Sequence, residues 1–184
     1  MVKEHSHRLH YSINALILFT LGALLAGVAE LPYGGWLQIP LLSIVWWRLN
    51  LEADSKLKSF FCFGLIFGLG YFVVALWWIY ISLHDVGGMN SLLSCIAVLL
   101  LSAYVAFYFS LATFAIRLFQ SSRFTGLLLG ASWAVMEFLR GYIFTGFPWM
   151  GLAEGQINGP FAALAPLLGG LACTFLTIWI SWEL

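Results

Sequence analysis

Between Lys58 and Asp85, and again between Asp85 and Arg117, no Lys, Arg, Asp or Glu interrupts the chain. Runs of this kind leave few folds open. The whole chain of 184 residues is 62% hydrophobic and only 9% charged, where soluble domains carry roughly 25% charge. A water-soluble fold of this size could not hide so much apolar surface, so the chain belongs in a bilayer. A spanning helix needs about 20 apolar residues, because the hydrocarbon core is about 30 Å thick. Six runs fit, at about 13–29, 36–49, 60–82, 91–116, 124–143 and 161–182. They are continuous rather than alternating, which excludes a strand barrel, and lipid then leaves only hydrogen-bonded helices. The expected fold is an all-α membrane protein. It is a bundle of about six transmembrane helices that occupies residues 1–184 as one domain with no soluble domain. Each run is apolar all round, so helical periodicity does not separate a lipid face from a buried one.

The charges orient that bundle. If the spans alternate, Lys3, Arg8, Arg48, Lys56, Lys58, Arg117 and Arg123 fall on one side, and only Arg140 on the other. Lys and Arg favour the cytoplasmic side, so the N-terminus is expected inside, in a multi-pass arrangement. "LLAGVA" (24–29) has the look of a signal-peptidase site. The following "ELPYGGWLQIPLL" reads as a tight turn into a second span and favours an uncleaved first helix. A net charge of zero and the absence of a basic stripe exclude a nucleic-acid partner. Cys62, Cys95 and Cys173 lie far apart inside apolar runs and read as small buried hydrophobes. No metal or cofactor is expected. His5, His7 and His10 read as scattered terminal histidines, and His84 with Asp85 as a polar turn. Gly64-x-x-x-Gly68 and Gly126-x-x-x-Gly130 are candidate close helix contacts.

One segment is not explained by anchoring in lipid. "MEFLRGYIFTGFPWMG" (136–151) ends the fifth run with Glu137 and Arg140, three residues apart on one helix face. Counted from Arg123 at 1.5 Å per residue, Glu137 lies about 21 Å along and Arg140 about 25 Å along. Glu137 is therefore still in hydrocarbon, where a lone carboxylate costs roughly 2.5–3.5 kcal/mol. An ion pair with Arg140 is the expected compensation. Beyond it, Gly141, Gly146, Gly151, Gly155, Gly159, Pro148 and Pro160 break any regular helix, while Tyr142, Phe144, Phe147 and Trp149 favour the membrane interface. Irregular backbone at that depth survives when it is buried in protein or lines a cavity.

At these residues the chain resembles a known family. "WAVMEFLRGYIFTGFPWMGLAEGQINGPFAALAPLLG" (133–169) is similar to apolipoprotein N-acyltransferase, a bacterial inner-membrane enzyme. The resemblance is carried by Trp133, Glu137 to Gly141, Thr145 to Trp149, Gln156, and Leu164-Ala165-Pro166 with Gly169. "WIYISLHDVGGM" (78–89) and "LPYGGW" (31–36) extend it, although Trp77 stands where the family has a smaller polar residue. The resemblance implies a membrane bundle followed by a nitrilase-like domain with a Glu-Lys-Cys set. There the Cys takes an acyl chain from a phospholipid as a thioester and passes it to the amine of a lipoprotein's diacylglyceryl-cysteine. Such nucleophilic catalysis divides one hard transfer into two easier ones.

No Glu, Lys or Cys of this chain matches that catalytic set, so no catalytic residue is assigned. The chain is expected to be the N-terminal membrane portion, a fragment inactive alone. The expected partners are a phospholipid acyl donor and a diacylglyceryl lipoprotein acceptor. Glu137, Arg140, Gly146, Phe147, Pro148, Trp149 and Gln156 are expected to shape the lipid-substrate cavity. Two other classes compete: a non-catalytic membrane scaffold, and a small transporter that couples protons through Glu137. No internal repeat of the transporter kind supports the latter.

Overall fold

The computed structural model describes residues 2–120 and 122–184, with side chains from His10 onward. The apolar runs become helices α1 (Val2–Ala29), α2 (Gly34–Asn50), α3 (Leu57–Ala75), α4 (Trp77–Ile81), α5 (Ser91–Phe119), α6 (Thr125–Arg140), α7 (Ala165–Leu168) and α8 (Gly170–Glu183). Among the described residues there is no strand. His10–Ala29 of α1, α3 and α5 are long and apolar enough to cross a membrane. α2, α6 and α8 hold 17, 16 and 14 residues, and at 1.5 Å per residue each falls short of the roughly 30 Å hydrocarbon core.

Several helix bounds differ from the expected runs, each for a local reason. The third run leaves helical geometry at Leu76 (φ −100°, ψ 12°) and continues through α4 into a π-turn at Ser82–Val86. Gly88, at φ +67°, closes it. α5 starts one residue after Asn90, whose side chain accepts the Leu92 N–H at 2.9 Å. The fifth run stops at Arg140 instead of 143, because the Arg140 carbonyl accepts the N–H of Phe147 (2.8 Å) from the returning loop. The sixth starts at Gly170 instead of 161. Gly169 sits at φ +79°, a region open to glycine, and separates α8 from the short α7.

The helices form a closed ring in the order α1, α3, α5, α6, α8, α2 and back to α1, each packed on the next. Glycines allow the closest approaches. A methyl on Gly68 would stand 2.9 Å from the Ala106 side chain, and one on Gly130 would stand 2.8 Å from the Phe175 carbonyl. The two small-residue pairs therefore mark the α3–α5 and α6–α8 contacts. Gly22 and Gly70 do the same between α1 and α3.

The centre of the ring is aromatic. Trp46 of α2, Phe67 of α3, Phe109 of α5 and Trp133 of α6 meet with centroid separations of 4.4 to 6.4 Å. The indole N–H of Trp46 donates to the Ser181 hydroxyl of α8 at 2.7 Å. One end of the ring is basic and polar. There Arg117 donates to the Ala53 carbonyl at 2.6 Å, Gln120 to Asp54 at 3.1 Å, and His10 meets Glu52 at 3.2 Å. The side chains of His5 and His7 lie outside the described residues. The other end is closed by the segment 141–169.

Candidate functional site

The closing segment holds to the ring through N–H and O–H hydrogen bonds to four helices, α2, α3, α5 and α6. Arg140, only 1% exposed, grips it twice. Its carbonyl accepts the Phe147 N–H, and its guanidinium donates to the Pro148 carbonyl at 3.4 Å while lying 5.3 Å from the Phe72 ring centroid. A cation over an aromatic face within about 6 Å is attracted by the ring quadrupole. Glu137, also buried, accepts the Leu152 N–H on one oxygen (3.0 Å) and the Thr174 hydroxyl of α8 on the other (2.8 Å). Tyr71 of α3 donates to the Met150 carbonyl at 3.4 Å, and Tyr104 of α5 to the Ile143 carbonyl at 3.3 Å. Gln156, 1% exposed, donates to the Gly35 carbonyl (3.0 Å) and to the side-chain carbonyl of Gln38 (2.8 Å), both on α2.

This corrects one expectation. Glu137 and Arg140 share a helix face, yet no ion pair joins them among the described residues. Each side chain has one partner in the loop and one on another helix. Backbone N–H and hydroxyl donors satisfy the carboxylate, whereas the guanidinium meets one backbone carbonyl and a ring and keeps Nε and Nη1 buried without a hydrogen-bond partner. The carboxylate is compensated by hydrogen bonding instead of by charge.

The loop backbone is strained where it turns. Phe144 (φ 53°), Thr145 (φ 71°) and Met150 (φ 60°) are left-handed without being glycine, at about 1 kcal/mol or more each. Gly146 (φ +83°) is required twice over, since a methyl there would also collide with the Gly141 carbonyl. The aromatics divide by side. Phe147 packs inward on the core, 5.1 Å from Trp149, whereas Trp149 is 54% and Phe144 83% exposed.

Beside Tyr71 the loop walls a cavity of about 200 Å³ with Ala26, Glu30, Met150, Glu154 and Ile157. An adjoining one of about 280 Å³ shares Glu30 and Glu154 and reaches Leu31, Pro32 and Asn158. Partial desolvation pushes the Glu154 carboxyl above its ordinary value, although the residue is exposed, and backbone N–H groups of Gly151 and Met150 offset part of this. A carboxyl raised on folding adds stability below its unfolded pKa and loses it as pH rises through the folded value. Glu154→Gln should therefore stabilise the protein relative to wild type at neutral and alkaline pH, with the difference closing as pH falls towards 4.5. Unfolding midpoints across that range check this, and a difference that widens in acid would be the wrong sign.

Most other sequence candidates stay away from this site, and Cys173 only touches its edge. Cys62, Cys95 and Cys173 are free, with Cys173 buried and its thiol 3.6 Å from the Phe161 carbonyl. His84 bonds the Met89 carbonyl at 2.8 Å within its turn and lies 3.9 Å from Asp85. Trp77 is exposed and stacks on Tyr80 at 4.7 Å. Among the described residues no group of three His, Cys, Asp or Glu could hold a metal ion. Sequence reasoning missed Gln38, Tyr71 and Thr174. Gln38 left a signal, a lone amide in an apolar run. Thr174 left none, because a threonine in a membrane helix commonly bonds its own backbone.

The segment that closes the ring lies within residues 22–182, which match the family model described as the apolipoprotein N-acyltransferase N-terminal domain. The chain belongs to the apolipoprotein N-acyltransferase family. It is 36% identical over 149 residues to the apolipoprotein N-acyltransferase of Pasteurella multocida, covering 81% of this chain and 28% of that protein. It is 40% identical over 139 residues to that of Ralstonia nicotianae, covering 73% and 26%. The Haemophilus influenzae protein is 32% identical over 167 residues, covering 90% and 31%. The chain thus spans less than a third of the length of the relatives it matches. All of the loop's anchors on the ring fall inside the residues matched to that N-terminal domain.

Proposed function

We propose that this chain is the membrane portion of an enzyme that transfers an acyl chain from a phospholipid to the N-terminal diacylglyceryl-cysteine of a lipoprotein. In this reading Glu137, Arg140, Gly146, Phe147, Pro148, Trp149 and Gln156 shape the lipid-substrate site by holding and forming the loop, while neighbouring residues line the two cavities beside Glu154. The observation that carries it is the anchoring of an aromatic, irregular loop to four helices by polar side chains, in a chain of the acyltransferase family. Such a loop is rigid at its base and presents Trp149 and Phe144 outward, where amphiphilic chains would lie. The engagement of both Glu137 oxygens, one by the loop and one by α8, speaks against a proton-coupling role for that carboxylate.

The test uses the full-length enzyme that carries this domain, in vesicles with phospholipid and a diacylglyceryl peptide. Arg140→Ala and Trp149→Ala should each slow thioester formation or N-acyl transfer by about tenfold, about 1.4 kcal/mol in the barrier. Unchanged rates in both steps at normal protein level would remove these residues from the site.

The proposed orientation has six crossings in the bacterial inner membrane, with Arg48, Lys56, Lys58, Arg117 and Arg123 at the cytoplasmic end and the loop at the opposite leaflet. A Trp149→Cys variant should react with a membrane-impermeant thiol reagent from the non-cytoplasmic side. Reaction from the cytoplasmic side alone would overturn the topology.

A further inference from the structure

Gln38 and Gln156 stand 118 positions apart in sequence, yet their amides meet at 2.8 Å with both residues buried. The approach is set by glycine. A methyl on Gly35 would stand 2.7 Å from both the Gly155 carbonyl and the Gly159 Cα, and methyls on Gly155 and Gly159 would collide with the Gln38 and Gln156 amides. The pair is a poor source of stability, because the Gln38 amide nitrogen and the Gln156 amide oxygen are buried without a partner. An apolar pair of similar size would avoid that penalty. What an amide pair supplies is direction, since a hydrogen bond fixes one relative placement where two leucines accept several. What it places is the turn Leu152–Gln156. That turn is a partition: Gln156 lies on its α2 side, while Glu154 and Gly155 wall both cavities beside Glu30.

We propose that Gln38 and Gln156 are positioning residues, a polar clamp that sets the cavity wall carried by the 152–156 turn and so governs lipid binding more than the chemical step. The kinetic half rests on the acyltransferase reading. The clamp itself can be tested without it.

The deciding variant replaces both amides, Gln38→Leu with Gln156→Leu. In the present chain in nanodiscs, the unfolding midpoint should hold or rise. Amide hydrogen exchange over 152–157 should accelerate about tenfold, as expected when a local opening replaces a held turn. In the full-length enzyme, KM for the phospholipid in vesicles should rise about tenfold with kcat within about twofold, the signature of lost binding common to ground and transition states. A folded double variant with wild-type exchange and KM would overturn the clamp. If the double variant does not fold, two single variants decide. Gln38→Glu, protonated in its buried site, keeps a carbonyl acceptor for Gln156 and should hold the turn, whereas Gln38→Leu should release it. Equal exchange in the two would overturn the proposal. Accelerated exchange in an enzyme with no acyl transfer in any form would leave the clamp standing and remove the acyltransferase reading.

Discussion

Trp133→Ala should lower the unfolding free energy by about 3–5 kcal/mol, the range for emptying a large aromatic site in a packed core. Trp133 is fully buried at the centre of the ring. Its ring lies 4.4 Å from Phe109, 5.4 Å from Trp46 and 6.4 Å from Phe67, so three neighbouring helices lose a contact together. None of them can close the gap alone, because the helices already meet at close contact at Gly64, Gly68 and Gly130 and have no room to move nearer. Trp133→Phe should cost much less. It keeps a ring at the same place and removes an indole N–H that has no hydrogen-bond partner. Denaturant unfolding in micelles, followed by far-UV circular dichroism, checks both variants. A Trp133→Ala protein within about 1 kcal/mol of wild type would show that the aromatic centre is not the core of the bundle.

Glu137→Ala should cost about 3 kcal/mol, for a different reason. The substitution strands the buried Leu152 N–H and the Thr174 hydroxyl at once, and an unsatisfied buried donor carries a penalty of about 1–3 kcal/mol. The threonine can turn back to its own helix. The Leu152 N–H cannot, since its direction is set by the turn that carries it. Glu137→Gln retains one acceptor and should fall between wild type and Ala. Exchange of the Leu152 amide should follow the same order. Equal stability of the Gln and Ala variants would mean that the carboxylate does not hold the loop.

Much of this site was legible before any coordinates. Glu137 and Arg140 stood out because ionisable groups in an apolar run are costly and need partners. The glycine and proline spacing of 141–160 marked irregular backbone. The Glu137–Arg140 ion pair was read wrongly. Spacing on one helix shows which residues can meet, but not whether a third element offers each a better partner. Here the returning loop does. The sixth helix was extended too far for a related reason. Residues 161–168 are as apolar as 170–182, and only the left-handed turn at Gly169 separates them.

The amino-acid sequence by itself determined the class of the protein, its family and the position of the irregular loop. Those follow from composition, from uninterrupted apolar length and from an ordered motif, all of which are local in the chain. The tertiary structure alone decided the order of the ring, the inward placement of Trp133, and the partners of Glu137, Arg140 and Gln156. Helices in lipid are apolar on every side, so no periodicity announces which face meets which neighbour. The polar bonds that close the loop onto α2 and tie α8 to Glu137 join residues far apart in sequence, and exist only once the helices have packed.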